Sequence, residues 1–311
     1  MLSYQHQFHA GNHADVFKHL CLIALINKFK QKSRPFFFAD SHAGEGEYLL
    51  NTNEDNRFDE AFARHLDFSL KNTQSNTQNE FTMLNNSVFN DYEHLLNDYS
   101  TQQGNNPVYP GSSVILKDLC CAGNSIHVNE LHNDAYKKLK RRMRGSGIHV
   151  HQRDAYEFIN ALLPPKAPQP MRGGILIDPP YEDSYEYDNV YEVVNNTIKK
   201  WPIGIFAIWY PLLSEHRKDK RSGQLLRNPK SGLSEKMVER IAGLQMNGLI
   251  DCRFIWQDKR DFNGMYGSGI ALINPPWQIE EVLTEVLSFL NAQLPESNQG
   301  YSELNTLLRS A

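Results

Sequence analysis

The chain has 311 residues, 40% of them hydrophobic and 22% charged, with a formal net charge of −4. That length can bury a large core and allows either one large domain with an insertion or two domains. The negative balance excludes a surface generally coated with cations, so any polyanionic partner must meet a local basic patch.

Taken in chain order, the first periodic segment is an amphipathic helix at about 14–31, expected to pack beside the first strand. Its apolar run LCLIALI at 20–26 is far shorter than the roughly 20 residues of a membrane span. Seven strand-like runs follow, at 35–41, 124–131, 147–154, 173–180, 204–211, 249–256 and 267–274. Most are continuous β-branched or aromatic runs, as in strands buried on both faces of a parallel sheet. Helical patterns at 133–144 and 185–200 alternate with them. The α/β order implies a doubly wound, Rossmann-like seven-stranded sheet. Too few residues separate the sixth and seventh strands for a crossover helix, so these two should form an antiparallel hairpin. Residues 51–107 are rich in Asn and Gln, with weak helical periodicity at Phe58, Phe62 and Leu66 and again at Val88, Tyr92 and Leu95. They read as a small helical insertion in a main domain made of 1–50 and 108–293. A helix at 278–293 should pack on the sheet through Ile279, Val282, Leu283, Val286 and Leu290. The tail 294–311 is polar and is expected to be loosely held. Cys21, Cys120, Cys121 and Cys252 make no C-x-x-C pair. Free thiols in a reduced, cytoplasmic setting follow.

After the first strand the chain reads ADSHAGEGEY, where Gly44 and Gly46 permit a tight turn and a close approach to a ligand. An acid at the end of the second strand can accept both hydroxyls of a ribose, and Glu130 stands there; its bland reading is a solvated acid beside a helix start. Asp154 ends the third strand, where it can accept an adenine amino hydrogen while the Ala155 N–H reaches a ring nitrogen. Asp154 can equally cap the helix that begins at Ala155. The three successive carboxyl ends suit an adenosine cofactor without a pyrophosphate. The third glycine of the dinucleotide fingerprint is missing, which favours S-adenosylmethionine over NAD.

Two stretches end a strand in almost the same way, Asp178-Pro179-Pro180-Tyr181 and Asn274-Pro275-Pro276-Trp277. In a doubly wound sheet, ligands sit beyond the carboxyl ends at the switch point, next to the glycine turn. The first stretch belongs there. The second follows an antiparallel strand, so it should lie at the other edge and only start a helix. Asp178 and the Pro179 carbonyl can each accept one N–H of an exocyclic adenine amine, which localises its lone pair toward a methyl donor. The residue before a proline is held extended, which fixes that carbonyl. Tyr181 offers a face on which an extruded base can stack.

These motifs resemble a class I methyltransferase that acts on amino nitrogen. With the N-terminal MLSYQHQFHAGNHADVFKH, together with SHAGEGEY, YPGSS, NELH, IWYP and GMYGSGIALINPPW, the chain is similar to the 23S rRNA adenine-N6 methyltransferase J family, from Met1 to about residue 290. The similarity lapses in 51–107 and in the tail. The resemblance implies methyl transfer from S-adenosylmethionine to N6 of one adenine of free or early-assembly 23S rRNA, the family's position 2030. No membrane and no obligate protein partner are implied. By position, His19, His42, Ser112, Glu130, Asp154 and Asp178 match the family's cofactor contacts. Tyr4, His6 and Lys18 match its substrate-facing motif, with Lys18 suited to an RNA phosphate. Glu45 departs from the pattern, where a small residue is expected; pointing outward, it adds negative charge near an RNA entrance.

Rival readings stay open at this point. DPPY alone does not separate RNA from DNA as substrate, and a non-catalytic RNA-binding protein could keep such a sheet. A glutamine-N5 methyltransferase more typically carries Asn in the first place of the motif. His6, His9, His13 and His19 could suggest a metal, but a Gly-Asn break interrupts their spacing and no cysteine or acid completes the set. The densest basic runs, KKLKRRMR at 137–144 and RKDKR at 217–221, are either solvated faces or phosphate contacts.

Overall fold

Five strands run parallel: β1 (Phe37–Asp40), β4 (Ser125–Asn129), β5 (His149–His151), β6 (Gly173–Ile177) and β7 (Ile205–Leu213). Burial on both faces explains the largely apolar runs of β1, β6 and β7; β5, at the sheet edge, is exposed to half-buried. The computed structural model describes residues 10–49, 62–69, 80–101, 108–219, 222–259, 263–295 and 298–308. The sheet order is β12-β10-β11-β7-β6-β1-β4-β5. From β1 the chain winds outward through β4 and β5, then returns to place β6 on the other side of β1. The crevice between β1 and β6 is therefore the switch point expected from the sequence.

β10 (Leu249–Ile255) and β11 (Met265–Ile273) form the expected antiparallel hairpin, and β11 also pairs antiparallel with β7. The tail departs from expectation. Residues Tyr301–Leu308 form β12, which pairs antiparallel with β10 along its length and makes an eighth strand. An edge strand is held by its ladder of backbone bonds and needs little apolar surface, so a polar composition concealed it.

Two hydrophobic layers cover the sheet. On one face α1 (His13–Lys30) lies beneath α2 (Glu80–Thr101), α3 (Ser112–Leu119) and α8 (Ile279–Ala292). On the other, α5 (Ala155–Leu162), α6 (Tyr185–Ile198) and α7 (Leu233–Ala242) pack. The sequence suggested an amphipathic α1, but the helix has no solvent face. Every residue from His13 to Phe29 is buried, because the sheet lies below and three helices lie above. Its polar residues are met individually; Asn27 Nδ2, for instance, donates to Ser87 Oγ and Asp91 Oδ2.

The described part of the insertion consists of 62–69 and α2, with Phe62, Val88, Tyr92 and Leu95 buried against the α1 layer. Two short strands, β2 (Glu47–Leu49) and β3 (Val108–Pro110), pair antiparallel and pinch the two ends of this segment together. A second detached ribbon is made of β8 (His216–Lys218) and β9 (Leu225–Arg227). The helix α4 (Asn133–Arg142) links β4 to β5. Among the described residues no helix is long and apolar enough to cross a membrane.

Candidate active site

A cavity of about 780 Å³ opens beyond the carboxyl ends of β1, β4, β5, β6 and β7, a size usual for small-ligand sites. Its floor is the turn after β1. Gly44 there has φ +59°, and a Cβ on it would meet Tyr48 Oη at 1.9 Å, so both conformation and space demand glycine. Asp40, fully buried at the end of β1, braces this turn. Its two oxygens accept from Ser112 Oγ at 2.6 Å and from the His42 N–H at 3.1 Å. Burial, and secondarily the Asp178 charge, push its carboxyl up to about 6. Burial, with the Lys18 charge, pushes the His42 imidazole down to about 3, so the ring is neutral, with Nδ1 2.8 Å from Ser41 Oγ.

Along the wall, Glu130 is half-buried and Oε1 accepts from the His132 N–H at 2.6 Å; burial raises its pKa above the ordinary carboxylate value. Asp154 caps α5, accepting from the N–H groups of Tyr156 and Glu157 through Oδ1. The cap expected from the sequence is thus made by one oxygen of a residue that also lines the cavity. His19 of α1 places Nδ1 2.8 Å from Tyr109 Oη, which in turn lies 3.0 Å from Tyr92 Oη.

The rim opposite Glu130 carries Asp178, whose carboxylate is joined to Lys18 at 2.6 Å; Lys18 also reaches Asp15 at 3.0 Å. Burial disfavours the ammonium, but the two carboxylates outweigh it and hold the Lys18 pKa well above its ordinary value. The Lys18 Nζ stands 5.9 Å above the half-exposed Trp209 ring, which lines the same cavity.

A family model described as "RsmJ: Ribosomal RNA large subunit methyltransferase D, RlmJ" matches residues 33–307. The chain belongs to this RlmJ family. It is 31% identical over 309 residues to "Ribosomal RNA large subunit methyltransferase J" of Escherichia coli, covering 99% of each chain. Against the protein of the same name from Haemophilus influenzae it is 30% identical, covering 96% of each. A crystal structure of a Legionella pneumophila protein shares the fold, with a TM-score of 0.74 at 22% identity over 96% of this chain and 98% of that one.

Of the site residues expected from the sequence of this family member, eleven line the one cavity: Lys18, His19, His42, Gly44, Ser112 and Glu130 from the first half, then Asp154, Ala155, Asp178, Pro179 and Tyr181. Tyr4 and His6 lie outside the described residues, as do Phe58 and His9. Two roles are corrected. Lys18 is 4% exposed and its charge is committed to Asp178 and Asp15, so it is not presented to an RNA phosphate. Tyr181 is 1% exposed, with φ +49°; its ring lies 4.5 Å from that of Tyr187 and its hydroxyl donates to the Trp209 carbonyl. The ring is buried in the second core layer and offers no face to a base. Trp209, in the stretch IWYP, is a half-buried aromatic that lines the cavity together with Tyr48 and Tyr156 and lies next to Lys18, and sequence reasoning passes over it because it sits inside a strand. Glu45 was expected to point outward; it lines the cavity and pairs with Lys138.

Sequence reasoning also misses Asp40, Asp15 and Lys230. Asp40 is visible as the first acid in the stretch ADSHAGEGEY; the others carry no local signal. Lys230 donates to the carbonyls of Tyr181 at 2.6 Å and Glu182 at 3.1 Å and so pins the loop after Asp178. His13 is a core residue, its ring 4.0 Å from Phe62 and 5.2 Å from Trp256. Asn274 lies at the opposite end of the sheet, where Nδ2 donates to the carbonyls of Pro202 and Gly204 and Oδ1 accepts from the Asn247 N–H. It ties loops together, and Trp277 beside it is 84% exposed.

Proposed function

We propose that this protein transfers a methyl group from S-adenosylmethionine to N6 of one adenine in 23S ribosomal RNA, with position 2030 as the family's target. The observation that carries the reading is the Asp178–Pro179 turn at the carboxyl end of β6, beside the glycine turn of β1 and inside the cavity that also holds Glu130 and Asp154. The names of the two curated relatives support ribosomal RNA as the substrate class.

The cavity fits the cofactor. It supplies a turn at Gly44 whose left-handed backbone and contact with Tyr48 leave no room for a Cβ, an acid at Glu130 suited to a ribose diol, and Asp154 with the Ala155 N–H for the adenine edge. His19, His42 and Ser112 would complete the cofactor wall. When bound, S-adenosylmethionine supplies an electrophilic methyl group on a sulfonium centre.

The chain's own residues act on the amine. Asp178 and the Pro179 carbonyl accept its two N–H groups and turn the lone pair outward from the base plane. The Asp178 carboxylate then balances the positive charge that grows on nitrogen as the N–C bond forms, and accepts the departing proton directly or through water. Lys18 keeps Asp178 in one orientation, because a buried ammonium between two carboxylates has no other low-energy position. Trp209 supplies an aromatic face for the extruded base in place of Tyr181.

Incubating the protein with methyl-labelled S-adenosylmethionine and, separately, 23S rRNA, 16S rRNA and duplex DNA tests this reading. N6-methyladenosine should appear in nucleoside digests of the 23S sample. Label in DNA alone, or label in another nucleoside, would replace the reading with a different methyltransferase; no label anywhere would leave a binding protein.

A further inference from the structure

The chain between β7 and α7 leaves the sheet at Leu213 and returns at Lys230, and both of these residues line the cavity. Between them stand β8 and β9, a two-stranded ribbon that joins no other strand. All six of its residues are exposed, including Leu225 and Leu226 at 58% and 40%. A lone two-stranded hairpin is only marginally stable in water, yet this one is firmly tied at both ends. At its base the Ser214 N–H donates to the Gly264 carbonyl, the Gly264 N–H donates to Ser214 Oγ, and the Asn228 N–H donates to the Glu215 carbonyl at 2.7 Å. At its tip the Asp219 N–H donates to the Gln224 carbonyl, and Asp219 Oδ1 accepts from the Ser222 N–H. A fixed, uncovered element at the mouth of a site is a surface for something else.

Its charge names the partner. From 214 to 230 the sequence carries six lysines and arginines against two acids, within a protein of net charge −4. Cross-strand pairs share a face, so the register His216↔Arg227 and Lys218↔Leu225 puts His216, Lys218 and Arg227 together with one leucine; Arg217↔Leu226 lies on the other side. Among the described residues no carboxylate pairs with Arg217, Lys218 or Arg227. In the other basic run, Lys137, Lys138 and Arg142 are paired with Asp134, Glu45 and Glu47, and the exposed Lys140, Arg141 and Arg144 line a separate hollow, apart from the cavity.

We infer that the β8–β9 ribbon is an RNA grip, which binds backbone phosphates of the strand next to the target adenine at the mouth of the cavity, where Lys230 pins the loop after Asp178. This rests on the function proposed above. Phosphate contacts position a strand without reading its sequence; the ribbon sets register and affinity, and the cavity selects the base. By sequence alone RKDKR reads as either a solvated face or a phosphate contact, and the ribbon's isolation beside the cavity decides for the second.

The test compares the wild type with Arg217→Gln/Lys218→Gln/Arg227→Gln, all at exposed positions. The variant is expected to bind a 23S rRNA transcript about tenfold or more weakly at physiological salt. The slope of log affinity against log salt should become shallower by roughly 2, at about 0.7–0.9 for each phosphate no longer neutralised. Its melting temperature and S-adenosylmethionine affinity should match the wild type, and Arg217→Lys/Arg227→Lys should keep the wild-type slope. Unchanged RNA affinity and slope in the triple variant would assign the ribbon to another acidic partner and overturn the inference. A wild type that methylates no RNA overturns the function reading instead; the salt slope of binding then judges the ribbon by itself.

Discussion

Asp178 and Glu130 face one cavity with different tasks, and substitution separates them. Asp178→Asn keeps the shape but removes the charge that meets the methylated amine. Methylation should fall by about 10²–10⁴-fold, while S-adenosylmethionine still binds in a calorimetric titration. Glu130→Ala should act the other way, weakening cofactor affinity by roughly 1.5–3 kcal/mol for each hydrogen bond to the missing carboxylate. Equal cofactor affinity in the Glu130→Ala protein would remove Glu130 from the ribose site. Asp40 gives a prediction about pH. Its folded-state pKa, about 6, stands above its ordinary 3.8, so the folded protein holds that proton more tightly than the unfolded chain. The stability it contributes is complete below pH 3.8 and is lost as pH rises through 6, by up to about 3 kcal/mol. In urea denaturation from pH 4 to pH 7, the wild type should lose that much relative to Asp40→Asn. A difference that stays flat across the range contradicts the buried, raised carboxyl.

At the scale of elements, the two Pro-Pro stretches show how strand direction assigns a role. β6 is parallel to β1 and delivers Asp178 to the cavity; β11 is antiparallel to β7 and delivers Asn274 to the far end. Asn274→Ala removes three hydrogen bonds and puts Ala where φ is +51°. It should cost about 2–4 kcal/mol of stability with turnover per folded molecule retained. A folded Asn274→Ala protein without methylation activity would move the chemistry to the wrong end of the sheet. β12 makes a second case. Ending the chain after residue 297 leaves the outer edge of β10 unpaired, so the melting temperature should fall and light scattering should show association through that edge. An unchanged melting temperature would mean that the β10–β12 ladder adds nothing to stability.

The whole molecule places a buried helix, a sheet edge and a surface ribbon around one cavity. α1 enters the fold at Ala10 and Gly11, where the Gly11 N–H donates to Asp15 Oδ2, three residues before Lys18. Ala10 and Gly11 therefore stand beside Asp15, the second carboxylate on Lys18. Deleting residues 1–9, which carry Tyr4 and His6, should spare cofactor binding and reduce RNA methylation by orders of magnitude; full activity in the truncated protein would remove both residues from the site.

Much of this was legible from residues alone, because the signals were local. Strands buried on both faces leave unbroken apolar runs, the left-handed turn at Gly44 demands glycine, and a rigid Asp-Pro-Pro turn after a parallel strand carries its chemistry with it. Four successive carboxyl ends then fall in one crevice by the rules of sheet winding, which is why eight of the eleven expected residues meet there, while Lys18 and His19 come from α1 and Ser112 from the start of α3. Tertiary structure alone decided the rest. Whether α1 is amphipathic depends on the three helices above it; whether the tail is a strand depends on a vacant edge at β10. Lys18 is a buried counter-ion to Asp178 because two carboxylates converge on it from opposite sides, 160 residues apart in the case of Asp178. Tyr181 turns into the core and Trp209 faces the cavity because packing, which no local pattern encodes, chooses between two aromatic rings at the same rim.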